Sequence, residues 1–188
     1  TPAIVYLHGF CSSPASWKSR LLAEHMAERG LAGRFVCPQL SPVPDEAVAS
    51  VSRLIEAADA AVTLVGSSLG GYLATHLAEK HDLKAVLLNP AVVAPLSLAR
   101  YLGPQTNFYT GKTFVLTQRH LDGIRALDVE RITPERYLLL VETGDEVLDY
   151  RQAVERYAGC RQVVVDGGEH GLRSFPEHLP QLFEFCGL

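Results

Sequence analysis

The sequence has no arrangement of cysteine or histidine that is typical of a metal site. Its four cysteines, Cys11, Cys37, Cys160 and Cys186, form no C-x-x-C pair and no Cys/His spacing that would close a zinc site. A chain of 188 residues buries roughly 70% of the surface that its unfolded form exposes, so it needs neither a metal nor a disulfide for stability. We therefore expect no bound metal, reduced cysteines and a cytoplasmic location.

Patterns for nucleotides, nucleic acids and membranes are missing as well. The chain contains neither G-x-x-x-x-G-K-[ST] nor G-x-G-x-x-G, and its net charge of −4 includes no basic cluster. No apolar run approaches the ~18 residues that span a bilayer. The first ten residues lack a basic region and a cleavage site, although the missing initiator Met leaves a removed leader open. We expect no cofactor, no nucleic acid, no membrane span and a small-molecule substrate; the sequence does not indicate an oligomeric state.

Short apolar runs alternate with segments of helical periodicity along the whole chain. Most of these runs are continuously apolar, which favours parallel strands covered on both faces. They lie at residues 3–7, 34–37, 61–65, 84–88, 137–141 and 162–165. The pattern predicts an α/β fold of one domain over residues 1–188, with about six mainly parallel strands and helices on both faces.

One stretch departs from this alternation, at about residues 91–133. It places Leu, Phe, Tyr and Val among Gly, Pro and Asn, and it is too long for an ordinary single-helix connection. We expect a helical insertion that lies over the strand ends as a lid. A connection packed on the edge of the sheet is the alternative.

The pentapeptide from Gly66 to Gly70 has the form G-x-S-x-G, with Ser68 at its centre. An apolar strand precedes it and an apolar-striped helix follows, which is the setting of a nucleophile on a sharp strand-to-helix turn. The flanking glycines are needed because the chain crosses itself closely there. Ser68 is therefore the candidate nucleophile, and a serine in an ordinary glycine-rich turn is the structural alternative.

A serine hydroxyl needs a base, and His170 is the best-placed histidine. It follows the last predicted strand in a glycine-containing loop that can lie over the top of the sheet. Asp145, just after the preceding strand, is the candidate acceptor for the other imidazole nitrogen. Its nearby competitors are Glu142, Glu146, Asp149 and Asp166.

An attack on a carbonyl also needs donors for the oxyanion that forms. The backbone N–H of Leu69 is one candidate, and the N–H of Phe10, in the loop after the first strand, is the other. If the first strand lies between the second and the third, both loops border the switch point of the sheet, where ligands bind in α/β folds.

Several motifs resemble the α/β-hydrolase superfamily and, more narrowly, small bacterial esterases of the YqiA type. They are YLHGF, VGSSLGGYLAT, LLNPAV, YLGPQTN, TGDEVLDYRQAV and CRQVVV followed by GGEH. The resemblance implies a compact hydrolase fold that lacks the first two strands of larger relatives. It also implies hydrolysis of carboxylic esters, extending to acyl thioesters, with the family's catalytic residues at Ser68, Asp145 and His170.

Three functions remain open at this point. The first is a serine esterase that works through an acyl-enzyme. The second is a dedicated acyl-CoA thioesterase, in which Arg119 or Arg125 meets the phosphates of CoA. The third is a ligand-binding protein without catalysis on a hydrolase fold, because fold alone does not determine function.

Overall fold

The computed structural model describes residues 3–188, so the first two residues of the predicted domain lie outside it. Eight strands lie within the described residues: β1 (Ile4–Leu7), β2 (Phe35–Val36), β3 (Thr63–Ser67), β4 (Lys84–Leu88), β5 (Gly103–Thr106), β6 (Thr113–Leu116), β7 (Tyr137–Glu142) and β8 (Arg161–Val165). Seven α-helices lie in the same part of the chain: α1 (Trp17–Glu28), α2 (Pro44–Glu56), α3 (Leu69–His81), α4 (Ala94–Leu98), α5 (Gln118–Arg125), α6 (Tyr150–Arg156) and α7 (Leu179–Cys186). None of these helices is both long and apolar enough to cross a membrane.

Six of the strands form one sheet in the order β2-β1-β3-β4-β7-β8, and all of its pairings are parallel. The predicted architecture is confirmed, since every apolar run chosen from the sequence contributes a strand to this sheet. β1 lies between β2 and β3, so successive connections leave in opposite directions there. The carboxyl ends of β1 and β3 therefore border the switch-point crevice.

Successive side chains along the strands feed two apolar cores, one on each face of the sheet. In β1, Val5 and Leu7 belong to the core under α2 and α3, whereas Ile4 and Tyr6 belong to the core that α1 and α7 cover. All four side chains are at most 1% exposed. Burial on both faces explains why the strands are continuously apolar rather than alternating.

The insertion is only partly helical, so its expected helical character was incomplete. It contains α4 and α5, but an antiparallel hairpin of β5 and β6 lies between them as a separate two-stranded sheet. Neighbouring residues of the hairpin alternate between more and less buried, but residue type does not follow this alternation: Val115 is 57% exposed, and the half-buried positions of β5 are Gly103 and Gln105. The hairpin therefore gives little apolar signal in the sequence. Asn107 forms its turn by accepting hydrogen bonds from the backbone N–H groups of Tyr109 and Thr110.

Candidate active site

Ser68 lies at the apex of the turn from β3 to α3, in a conformation that L-residues rarely adopt. Its φ is 55° and its ψ is −119°, which is the strained backbone expected of a nucleophile elbow. A Cβ atom at Gly66 would overlap the carbonyl of Gly70, and one at Gly70 would overlap the carbonyl of Leu7. The two glycines of the motif are therefore required by the close approach of the crossing chain.

Backbone hydrogen bonds hold this turn in place from both sides. The N–H of Ser68 donates to the carbonyl of Leu88, at the end of β4, over 3.1 Å. The carbonyl of Ser68 accepts from the N–H groups of Gly71 and Ala91, each over 2.9 Å. These hydrogen bonds attach the backbone of Ser68 to the chain at the end of β4. They therefore hold the position from which its side chain extends.

Three predicted side chains form one hydrogen-bonded chain across the carboxyl ends of the strands. The Oγ of Ser68 lies 3.1 Å from Nε2 of His170. Nδ1 of His170 lies 2.9 Å from Oδ2 and 3.0 Å from Oδ1 of Asp145. When Nδ1 carries the proton and donates to the carboxylate, Nε2 is free to accept the serine proton. The arrangement can therefore move a proton from the hydroxyl to the imidazole.

The carboxylate of Asp145 is fixed by the turn in which it lies. Its Oδ1 accepts from the N–H groups of Val147, over 2.9 Å, and Leu148, over 2.8 Å. Its side chain is only 2% exposed, whereas that of His170 is 23% exposed. A carboxylate held by its own turn keeps one orientation and thereby holds the imidazole ring.

Three of the competing carboxylates have other partners. Asp149 caps α6 through the N–H of Arg151, and Asp166 accepts from the hydroxyl of Thr143. Glu146 accepts from the backbone N–H of the candidate base over 3.0 Å rather than from its ring. Asp145 is therefore the acid that the structure brings to the imidazole.

The fourth competitor, Glu142, is buried beneath the loop that carries His170. Its Oε1 accepts from the N–H groups of Glu169 and Arg173, and its Oε2 accepts from the N–H and the hydroxyl of Ser174. Burial by itself would raise the pKa of the Glu142 carboxyl, but these hydrogen bonds hold that pKa below its ordinary value. Sequence reasoning considered Glu142 only as an alternative acid and missed that it anchors the loop.

Asn89, which follows β4, is a second anchor that sequence reasoning missed. It is 2% exposed. Its Nδ2 donates to the carbonyls of Glu169, over 3.1 Å, and His170, over 3.0 Å. Its Oδ1 accepts from the N–H of Glu142 over 3.0 Å. An isolated polar residue at the end of an apolar strand was the available signal for both anchors.

The two candidate oxyanion donors flank Ser68. Gly9 brings the loop after β1 so close that a Cβ there would lie 3.5 Å from Cβ of Ser68. The next residue, Phe10, and Leu69, at the start of α3, line the same cavity as Ser68. In the part of the chain from residue 3 onward, neither N–H donates to a backbone carbonyl of a turn, loop or cap. Their assignment as oxyanion donors remains a prediction.

His8 holds the loop after β1 and is neutral. Its ring is bonded on both sides: Nδ1 donates to the carbonyl of Gly9, and Nε2 accepts from the N–H of Leu40, each over 2.9 Å. Burial lowers the pKa of His8. The ring therefore connects the loop to the chain after β2 without carrying charge.

A cavity of about 400 Å³, the Ser68 cavity, opens above the serine. Trp17, Lys18 and Arg100 line it together with His170. Nζ of Lys18 donates to the carbonyl of Gly171 over 3.0 Å, and burial lowers the pKa of Lys18 to about 8 against the pull of nearby carboxylates.

Arg119 and Arg125, the arginines expected to meet the phosphates of CoA, do not line the Ser68 cavity. Both are exposed on α5. Arg100, whose guanidinium lies 4.9 Å from the ring centre of Tyr101, does line it. The arginine that lines the Ser68 cavity therefore lies in the turn that follows α4, and sequence reasoning missed it.

Solved structures of low sequence identity share this architecture. A protein from Agrobacterium vitis S4 has a TM-score of 0.78 and 16% identity, over 99% of this chain and 90% of that chain. Alpha/beta hydrolase domain-containing protein 10 from mouse has a TM-score of 0.72 and 18% identity, over 98% of this chain and 88% of that chain. The monoacylglycerol lipase from Paleococcus ferrophilus has a TM-score of 0.67 and 18% identity, over 99% of this chain and 95% of that chain.

At these identities the likeness shows the α/β-hydrolase fold, which confirms the fold expected from the sequence motifs. A family model also matches nearly the whole described chain, from residue 3 to residue 187. The chain therefore belongs to the Uncharacterised protein family (UPF0227), the YqiA-type family, and it has the α/β-hydrolase fold.

Proposed function

We propose that this protein is a serine hydrolase that cleaves carboxylic esters through an acyl-enzyme, with Ser68, His170 and Asp145 as its catalytic triad. The observation that supports this most directly is the continuous chain of hydrogen bonds from the serine hydroxyl through the imidazole to the carboxylate. The strained backbone of Ser68 and the cavity around it add to that support.

In the first half-reaction, Oγ of Ser68 attacks the carbonyl carbon while its proton moves to Nε2 of His170. Asp145 stabilises the imidazolium through Nδ1–H. The N–H groups of Phe10 and Leu69 stabilise the oxyanion. The imidazolium then gives its proton to the leaving oxygen as the ester C–O bond breaks, which leaves the acyl group on the serine.

In the second half-reaction, water attacks the acyl carbon and loses a proton to His170. The tetrahedral intermediate collapses, the carboxylic acid leaves, and the serine recovers its proton from the imidazolium. Proton transfer in both halves uses the same nitrogen, Nε2, so a single position of the ring serves the whole cycle.

Labelling with a serine-directed fluorophosphonate tests the proposal. We expect a covalent adduct on Ser68, located by peptide mass spectrometry. We also expect Ser68→Ala to lose the adduct and to lower turnover of an activated ester by ~10⁴ or more. Ser50→Ala is a matched control, because Ser50 lies on α2, does not line the Ser68 cavity and donates to the carbonyl of Ala47. A wild-type protein without an adduct would favour the ligand-binding alternative, and normal turnover by Ser68→Ala would overturn the triad.

Acyl thioesters such as acyl-CoA are a second candidate class, favoured by the position of Arg100 in the Ser68 cavity. Its guanidinium suits a phosphate of the leaving thiol. We expect Arg100→Gln to raise KM for an acyl-CoA while KM for a p-nitrophenyl ester of equal chain length is unchanged. Equal effects on both substrates, or a strong wild-type preference for the simple ester, would contradict this candidate.

We further propose that the protein acts in the cytoplasm. The cysteines of the described chain are all free thiols, which suits a reducing compartment. Alkylation during lysis of cells in denaturant, followed by mass spectrometry, should find these thiols modified, and disulfide-linked peptides would contradict the proposal.

A further inference from the structure

A second cavity of about 380 Å³ lies under the insertion. Its interior is formed by apolar side chains from α2, α3, β6 and α5, namely Ala47, Leu73, Leu116 and Ile124, and each of them is at most 5% exposed. Polar side chains, among them the exposed Lys112 and Thr113, also line this second cavity. Its buried apolar part suits an uncharged apolar group.

The second cavity adjoins the Ser68 cavity. Phe10, Leu69 and Leu98 line both of them. The ring of Phe10 lies between the two, with its centre 5.7 Å from that of Tyr101 and 6.0 Å from that of Phe114. Gly9 and Ser12 line both cavities as well, so the two cavities share a boundary next to Ser68.

The two cavities lie on chemically different sides of Ser68. His170 lines the Ser68 cavity, together with Lys18 and Arg100, and does not line the second cavity. The leaving group must stay near His170 because Nε2 protonates it. Phe10 and Leu69, the proposed oxyanion donors, line both cavities and form part of the boundary between them. The acyl substituent, the remaining group on the reacting carbon, therefore extends toward the second cavity.

We propose that the second cavity is the binding site for the distal part of the substrate's acyl chain, so that the enzyme prefers medium or long unbranched acyl groups. This inference rests on the proposed hydrolase function. It further assigns the leaving group to the Ser68 cavity and the acyl chain to the second cavity. Each methylene that enters an apolar cavity contributes ~0.8 kcal/mol, which corresponds to about fourfold in binding.

A series of p-nitrophenyl esters from acetyl to tetradecanoyl tests the proposal. We expect wild-type kcat/KM to rise by up to about fourfold per methylene once the chain reaches past Phe10, and then to level off. Ala47→Leu places a larger side chain in the second cavity. It should lower the ratio of dodecanoyl to acetyl kcat/KM by at least tenfold, because roughly two or three methylenes lose their place. Ala49→Leu, the same change on the exposed face of α2, should leave that ratio at the wild-type value.

The outcomes separate the two proposals. If no ester in the series is hydrolysed, the proposed function fails. If esters are hydrolysed but kcat/KM does not depend on chain length, or Ala47→Leu lowers all of them alike, only the acyl site fails. Should Ala47→Leu not fold, the crystal structure of the wild type inhibited with a dodecylphosphonate p-nitrophenyl ester decides. A chain within the second cavity supports the inference, and a chain beside Trp17 and Lys18 or in solvent overturns it.

Discussion

Replacing Glu142 with Gln tests how the loop that carries His170 is held. The carboxylate accepts four hydrogen bonds, two on each oxygen, and three of their donors are backbone N–H groups. Gln keeps the shape but turns one oxygen into an NH₂ group. Two hydrogen-bond donors of the loop then face the new NH₂ group, which is itself a donor. Water cannot replace the lost acceptor, because the side chain at position 142 is fully buried. The substitution therefore removes acceptors without opening a cavity.

The expected loss follows from the bonds that Gln cannot accept. A hydrogen bond to a charged group contributes ~1.5–3 kcal/mol, and two such bonds are lost. Removing a buried charge recovers part of this loss, so we expect the free energy of unfolding to fall by about 2–4 kcal/mol. The released loop should also displace the imidazole. A displacement of about 1 Å lowers kcat by up to ~10² with little change in KM.

Urea denaturation at pH 7 and kcat and KM for a short-chain ester measure these effects. Glu146→Gln is the matched control, because Glu146 also bonds to the loop but is exposed and accepts one N–H there. Its substitution should cost less than ~1 kcal/mol. If Glu142→Gln kept the wild-type midpoint and kcat, Glu142 would not be a positioning residue.

Acid titration of stability gives an independent measurement of the same contact. The pKa of Glu142 is below its ordinary value of 4.5 in the folded protein. The stabilisation by the ionised Glu142 carboxylate is therefore complete at pH values above the pKa of this carboxyl in the unfolded chain. It is lost as the pH falls through the lower pKa of the folded protein. The difference in unfolding free energy between wild type and Glu142→Gln should shrink over that range. A difference that stays constant with pH would refute the role of the carboxylate charge.

Three further changes have defined outcomes. Gly70→Ala should lower stability by ~3 kcal/mol or more in thermal melts, since its Cβ would overlap the Leu7 carbonyl, whereas Gly33→Ala, with open space around it, should be neutral. Lys18 has a pKa of about 8 in the folded protein and 10.5 in the unfolded chain, so the unfolded chain binds more protons between pH 8 and 10.5. The free energy of unfolding of the wild type, relative to that of Lys18→Met, should therefore rise by up to ~3 kcal/mol over this range when it is measured by urea denaturation. Asp145→Asn should lower kcat by ~10⁴ while the melting temperature stays near wild type; unchanged kcat would contradict its role.

The sheet was predictable because burial on both faces leaves a strong local signal. β4 is apolar after Lys84 and β7 is apolar up to Glu142, and the switch point follows once β1 lies between β2 and β3. The meeting of Ser68, Asp145 and His170 follows from the same pattern, because each follows a parallel strand and these strands end at one edge of the sheet. Their catalytic roles remain predictions.

The hairpin and the two anchors were not predictable because their signals are not local. β5 and β6 pair with each other in a separate sheet, and burial alternates along both. The inward positions of β5 hold Gly103 and Gln105, and an outward position of β6 holds Val115, so apolar residues do not follow that alternation. Glu142 and Asn89 owe their roles to contacts across 27 and 80 residues, respectively, of the chain. In the sequence, a carboxylate that anchors a loop and a carboxylate that faces a base look the same.

Three buried polar side chains account for the alignment of the site. His8 holds the loop after β1, Asn89 connects β4 to the loop after β8, and Glu142 holds that loop from below. All three are at most 4% exposed, and leaving one buried partner unsatisfied costs ~1–3 kcal/mol. No loop can therefore shift without breaking bonds in a part of the molecule that water does not reach. The distances between Ser68 and its partners are set by this framework before substrate arrives, as preorganised catalysis requires.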